Sequence, residues 1–156
     1  MTLDAAWTIT REDGCEVSTD QARLDFAATH AAVADSFWCR GIPEETFRRV
    51  LAKSIGFGLY LPGGEQAGFC RAMSDEGVFG YLTDFIVFEG HRGQGLGSWL
   101  VESVLEHPSL GGLRRIHLAT RDRQAFFSRF GFRLDAQPGM QMDIVHPPED
   151  LWPQPD

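Results

Sequence analysis

The sequence predicts a mixed α+β single domain, and three observations carry that expectation. The apolar run Phe85-Ile86-Val87-Phe88 leads into the glycine loop Arg92-Gly93-Gln94-Gly95-Leu96-Gly97 and then into Ser98-Trp99-Leu100-Val101-Glu102-Ser103-Val104-Leu105, so strand, loop and helix are written consecutively. Upstream, residues 57–61 and 66–73 flank Pro62-Gly63-Gly64-Glu65, where paired glycines supply the positive φ of a hairpin turn. Finally, 156 residues is a single-domain length, able to bury roughly 70% of the unfolded chain's surface without staples, and the 43% hydrophobic content agrees.

The elements follow in order. Trp7-Thr8-Ile9-Thr10 alternates as a first strand, and Thr19-Asp20 offers capping chemistry before an Ala-rich helical stretch over about 24–36. Pro43-Glu44-Glu45 opens a second helix. A first-turn proline lacks only an N–H that would go unpaired, two carboxylates suit the positive end, and Phe47, Val50 and Leu51 form a core-facing stripe. After the hairpin, Ser74-Asp75-Glu76-Gly77 turns into a third strand over 78–88, which feeds the glycine loop. The helix after that loop spans about 95–106 and is ended by Pro108 with Gly111-Gly112. Ile116-His117-Leu118-Ala119-Thr120 is a further strand, a short helix closes on Phe126-Phe127-Ser128-Arg129-Phe130-Gly131-Phe132, and residues 132–134 and 140–145 are expected as closing strands. The expected organisation is one domain over 1–146 and an irregular, proline- and carboxylate-rich tail over 147–156, with no internal repeat or dividing linker.

Composition excludes several classes. Three widely spaced cysteines, Cys15, Cys39 and Cys70, form neither a disulfide framework nor a CxxC metal pair, and a reduced, cytoplasmic setting is expected. No signal peptide or membrane span is written in the chain. A net charge of −8 opposes nucleic acid and would steer a cationic amine, although acidity also serves solubility. His30, His91, His107, His117 and His146 show no metal-binding spacing, so no metal is expected.

The glycine loop is laid out as an anion cradle, because glycines permit close backbone approach and the free N–H groups of a helix's first turn hold phosphate oxygens. It lacks the Lys-Ser/Thr of a P-loop, and its GxGxG spacing is not the GxGxxG of a dinucleotide site. Its R-x-x-G-x-G spelling resembles the pyrophosphate loop, Q/R-x-x-G-x-G/A, of the GNAT superfamily of acyl-CoA-dependent N-acyltransferases. The stretch Phe126 to Phe132 is similar to that family's L-Y-x-K-x-G-F close, and Ser36-Phe37-Trp38 with Gly41-Ile42-Pro43 resembles a segment of one bacterial branch. The resemblance covers roughly residues 18–145. It implies a three-layer domain with a central mixed, largely antiparallel sheet flanked by helices.

The resemblance further implies acetyl-CoA, or another acyl-CoA, as co-substrate and transfer to a primary amine by direct attack. Residue by residue, the pyrophosphate falls on Arg92, Gly93, Gln94, Gly95, Leu96, Gly97 and Ser98, where a Cβ at Gly95 or Gly97 would sit in the path of phosphate or helix. The pantetheine arm falls on the backbone of Phe85, Ile86 and Val87. Phe127 stands where the family often has a Tyr that protonates the departing thiolate. A phenyl ring cannot donate a proton, so either solvent serves, at a cost of about 10²- to 10⁴-fold, or the chain is a noncatalytic acyl-CoA-binding or sensing domain.

Asp84, between apolar neighbours, is the candidate base, acting directly or through water; the alternative is a carboxylate tied to backbone N–H groups or an arginine. Tyr81 falls where some members hold a catalytic Glu, or else it is a pocket wall. His117 reads first as a packed strand residue and His91 as solvent-facing. Arg121, Arg123 and Arg129 would meet a ribose phosphate or solvent, and Phe37 and Trp38 would line an acceptor pocket or anchor the helices. Cys39 and Cys70 have no base partner in sequence, which leaves an acyl-cysteine route as a minor alternative. The amine acceptor is unidentified, and a homodimer stays open.

Overall fold

The structure, a computed structural model, describes residues 5–156. Six strands form one sheet in chain order: β1 (Thr8–Thr10), β2 (Glu16–Ser18), β3 (Ile55–Tyr60), β4 (Gln66–Ser74), β5 (Phe79–Val87) and β6 (Arg115–His117). The first five run antiparallel to their neighbours and β6 runs parallel to β5. The sheet is therefore mixed and largely antiparallel, as expected. A parallel join needs a crossover, and α3 (Leu96–Leu105) supplies it.

Helices cover both faces of the sheet. On one side Leu96, Leu100 and Val104 of α3 meet Phe57, Leu59, Cys70, Ala72 and Leu82 in the larger core cluster. On the other, α1 (Phe26–Asp35) and α2 (Glu44–Ala52) bring Val33, Phe47 and Leu51 onto Phe69. Asp25 caps α1 by accepting from the Ala28 N–H at 3.0 Å, and Glu44 and Glu45 occupy the first turn of α2 after Pro43. The final helix packed near the glycine loop is α4 (Gln124–Ser128).

A glycine in β3 is set by packing. The ring of Tyr60 folds back over Gly58, so a Cβ at Gly58 would lie 2.6 Å from Tyr60 Cζ and closer still to its hydroxyl, while Tyr60 is fully buried and cannot swing out. Gly58→Ala is expected to destabilise by about 1–3 kcal/mol through overpacking, read as a lower urea midpoint with an unchanged slope.

Three expectations are corrected. Strand β2 was not foreseen, because three residues ending at Ser18 carry too little periodicity to register. The strand expected over 116–120 stops at His117, since Leu118, Ala119 and Thr120 leave β5 and turn to line a cleft. Residues 132–134 and 140–145 form no strand: alternation marks a face but supplies no partner, no edge of the sheet pairs with 140–145, and Met140, Met142 and Ile144 are left at 70%, 92% and 91% exposure. The tail is also less irregular than expected. Pro148 starts a single turn, α5 (Pro148–Leu151), and Trp152 packs against the cluster under α1 and α2. Among the described residues no helix is long and apolar enough to cross a membrane.

Candidate active site

The site begins with a fault in the β4–β5 ladder. Phe69 pairs with Ile86 but Arg71 pairs with Thr83, so Asp84 and Phe85 together oppose Cys70 alone. This two-against-one bulge places Asp84 at φ +52°, a left-handed backbone that Asp tolerates better than most side chains. Strict alternation would send Asp84 to the same side as the core residue Leu82. The bulge instead brings its carboxylate to Arg71 and to Trp38, which lies in the segment between α1 and α2. Trp38 Nε1 donates to Oδ1 at 2.8 Å and Arg71 Nε donates to Oδ2 at 2.8 Å. Asp84 is 2% exposed, so an almost fully desolvated carboxylate is held by one cation and one indole N–H.

On the other edge of β5 the sheet splits before the bulge is reached. β5 and β6 pair only from Phe79 and Arg115 to Tyr81 and His117. Below that point residues 82–87 and 118–123 form the two walls of a cleft of about 1110 Å³, with the start of α3 between them. Phe85, Ile86, Val87, Arg92, Gly93, Gly95, Leu96, Gly97 and Ser98 all line this one cleft, whereas Gln94 does not.

Local backbone chemistry explains why the loop is built from glycine. Gly93 and Gly95 have φ of +76° and +75°, and a Cβ on either would meet nothing within 4 Å. The left-handed backbone requires them, and the space beside them opens outward rather than into protein. Gly97 differs, because its Cβ would touch Val87 Cγ2 at 3.4 Å and Phe85 at 3.6 Å, the distance at which α3 lies against β5. The first bond into α3 is Trp99 N–H to the Gly95 carbonyl at 3.3 Å, and among the described residues the N–H groups of 93–98 have no backbone or side-chain acceptor. Arg92 Nε donates to the Val87 carbonyl at 3.0 Å and ties the loop's start to the strand's end. A row of free N–H groups at a helix N-terminus, with Arg92, Arg121 and Arg123 on the same cleft, fits a diphosphate.

Other candidates separate by position. Arg121 stacks on Phe37 with Cζ 3.7 Å from the ring centroid, while Arg129 lies over Phe126 and Phe130 and does not reach the cleft. Phe127, 8% exposed, is wedged among Phe85, Phe126 and Phe132 and adds an apolar ring to the cleft lining. His91 lies 3.4 Å from Glu65 at the cleft edge. Tyr81 and His117 stack with centroids 5.6 Å apart, and burial, then the charges of Asp143 and Asp84, push the Tyr81 phenol up. Arg71 was not singled out in the sequence. The signal was present, because one arginine in the apolar run Phe69-Cys70-Arg71-Ala72-Met73 of a central strand demands a partner.

The cysteine chemistry argues against a covalent route. Burial, with the neighbouring Asp84 charge, pushes the Cys39 thiol up to about 11 and the Cys70 thiol up to about 12, and burial also raises Cys15. None forms a thiolate near neutral pH. Native Cys39 is expected to react with a thiol reagent at pH 7.5 about a hundredfold more slowly than in the unfolded chain, since rate follows thiolate fraction. Rapid native labelling would restore a cysteine to consideration.

Comparison with known proteins gives a consistent result. Residues 49–134 match the model of a family described as acetyltransferase (GNAT) domain. A candidate acetyltransferase of Gibberella zeae is 31% identical over 159 residues, covering 85% of this chain and 89% of that protein. Among solved structures, a GNAT-family candidate acetyltransferase from Xanthomonas campestris superposes with a TM-score of 0.84 at 35% identity, covering 90% of this chain and 97% of that one. A candidate acetyltransferase from Deinococcus radiodurans shares the fold, with a TM-score of 0.66 at 22% identity, covering 95% of this chain and all of that one.

Proposed function

The chain belongs to the GNAT acetyltransferase family, and on that premise we propose that it transfers an acetyl group from acetyl-CoA to a primary amine by direct attack in the cleft between β5 and β6. The observation that carries this reading is the pair of left-handed glycines, Gly93 and Gly95, whose free N–H row opens onto the same cleft as the β5 bulge. Backbone N–H groups of residues 93–98 hold the diphosphate, and the exposed edge of β5 at Phe85, Ile86 and Val87 orients the arm that follows. Backbone N–H groups on the edge of β5 left unpaired beyond Tyr81 polarise the thioester carbonyl, which makes positioning and electrostatic stabilisation the main sources of rate.

The acyl donor supplies an electrophilic thioester carbon, and the chain supplies the proton traffic. As the amine nitrogen bonds to that carbon and the carbon–sulfur bond breaks, the nitrogen must lose a proton. Asp84 takes it, directly or through water: each carboxylate oxygen keeps a second lone pair beside the bond it already accepts. Tyr81 forms the wall beside it. Phe127 has no proton to give, so solvent protonates the thiolate. A binding or sensing role remains the second reading, favoured by that same Phe127. Incubation with acetyl-CoA and a pool of primary amines decides: equal amounts of free thiol and N-acetylated amine support the enzyme, and saturable binding without either supports the sensor.

A further inference from the structure

Beside the cleft lies a second cavity, of about 760 Å³, whose lining includes Met73, Phe79, Tyr81, His117 and Asp143. Tyr81 and Ala119 line both spaces, so the two are contiguous. Its wall is a row of flat rings. His117 stacks on Tyr81 at 5.6 Å and on Phe79 at 6.5 Å, both at 26° between planes, and Met73 lies beside them with 39% of its surface exposed. Phe37 and Trp38, 47% and 39% exposed, line the first cleft, which Tyr81 joins to this cavity. So much exposed aromatic and thioether surface on one concavity suits a planar apolar body.

The charges around it are one-signed. Asp75 and Asp143 line the second cavity, and no lysine or arginine does. Asp75 is consumed by its turn, its Oδ1 accepting from the N–H groups of Gly77, Val78 and Phe79 at 2.7–2.9 Å. Asp143 has no ion-pair partner among the described residues. The cations on the elements around it are already engaged, Arg71 with Asp84, Arg115 with Asp135 and Arg121 over Phe37. An acceptor carrying a carboxylate or phosphate would find repulsion here and no counter-charge, whereas an ammonium would be drawn in.

Resting on the proposed amine acetylation, we infer that the acceptor is an arylalkylamine: a primary amine on a short chain, with a planar aromatic body and no anionic group. The aromatic body lies on the Phe79–His117–Tyr81 row and the amine points past Tyr81 toward Asp84. The test is a kcat/KM comparison, at saturating acetyl-CoA, of phenethylamine against phenylalanine, the same skeleton with a carboxylate, and against hexylamine and glucosamine 6-phosphate. Phenethylamine is expected to lead, ahead of phenylalanine by at least about fivefold, the worth of one unit-charge repulsion near contact in water. Asp143→Lys should narrow or reverse that ratio while leaving acetyl-CoA affinity unchanged. A ratio near one, a preference for phenylalanine, hexylamine or the sugar phosphate, or no turnover of any of the four by a protein that binds acetyl-CoA would overturn the inference and leave the cofactor site standing. Failure to bind acetyl-CoA would instead overturn the acetyltransferase reading beneath it.

Discussion

Gly95→Glu is expected to abolish the thermal stabilisation that acetyl-CoA confers on the wild type. A ligand at a hundred times its Kd adds about 2.7 kcal/mol to a folded chain, a rise of several degrees in Tm for a protein of this size. The substitution acts twice at one spot. Its side chain enters the open space beside the free N–H row, where a carboxylate takes the place of a phosphate oxygen, and a residue with a Cβ must hold the backbone φ of +75°. The left-handed cost of roughly 1–2 kcal/mol is survivable for a folded domain. The expected result is therefore a folded variant with a modestly lower Tm that no longer responds to acetyl-CoA; a full response would show that the loop is not the diphosphate seat.

Asp84→Asn is expected to cost both stability and turnover, and the two effects separate. Removing one partner of a buried ion pair leaves Arg71, whose side chain is 13% exposed, without its counter-charge, a loss of about 3–5 kcal/mol in a urea titration. Asparagine accepts the left-handed backbone, so the bulge itself survives. Pairing the change with Arg71→Gln should recover part of the stability, because no uncompensated charge then remains. Turnover should not recover. If Asp84 takes the amine proton, kcat falls by about 10²- to 10⁴-fold in both variants with acetyl-CoA affinity kept. Turnover that returns with stability would assign Asp84 the holding of Trp38 and Arg71 alone.

Much of this architecture was legible in the chain, and the reasons are local. The glycine loop could be read because strand, turn and helix start are contiguous and each has a short-range cause: apolar residues 85–88, the glycines at 93, 95 and 97, and the run from Ser98 to Leu105. The second helix was legible from Pro43 and two glutamates, and the hairpin from Gly63-Gly64. What failed depended on distant partners. Alternation at 140–145 suggests a strand, yet a strand exists only where a neighbouring edge accepts it, and no edge of the sheet pairs with this segment. The splay of β5 from β6 and the bulge at Asp84 likewise arise from ladder register, which no single segment encodes. Asp84 itself stood out in sequence, but its partners are 13 and 46 positions away, and only the fold brings Arg71 and Trp38 to it.

The most direct test is a calorimetric titration of acetyl-CoA into the wild-type protein. Saturable binding of one molecule per chain, with the heat lost in Gly95→Glu, is the predicted result. A featureless titration of the folded wild type would contradict the account at its base, leaving a GNAT fold whose glycine loop holds no acyl donor.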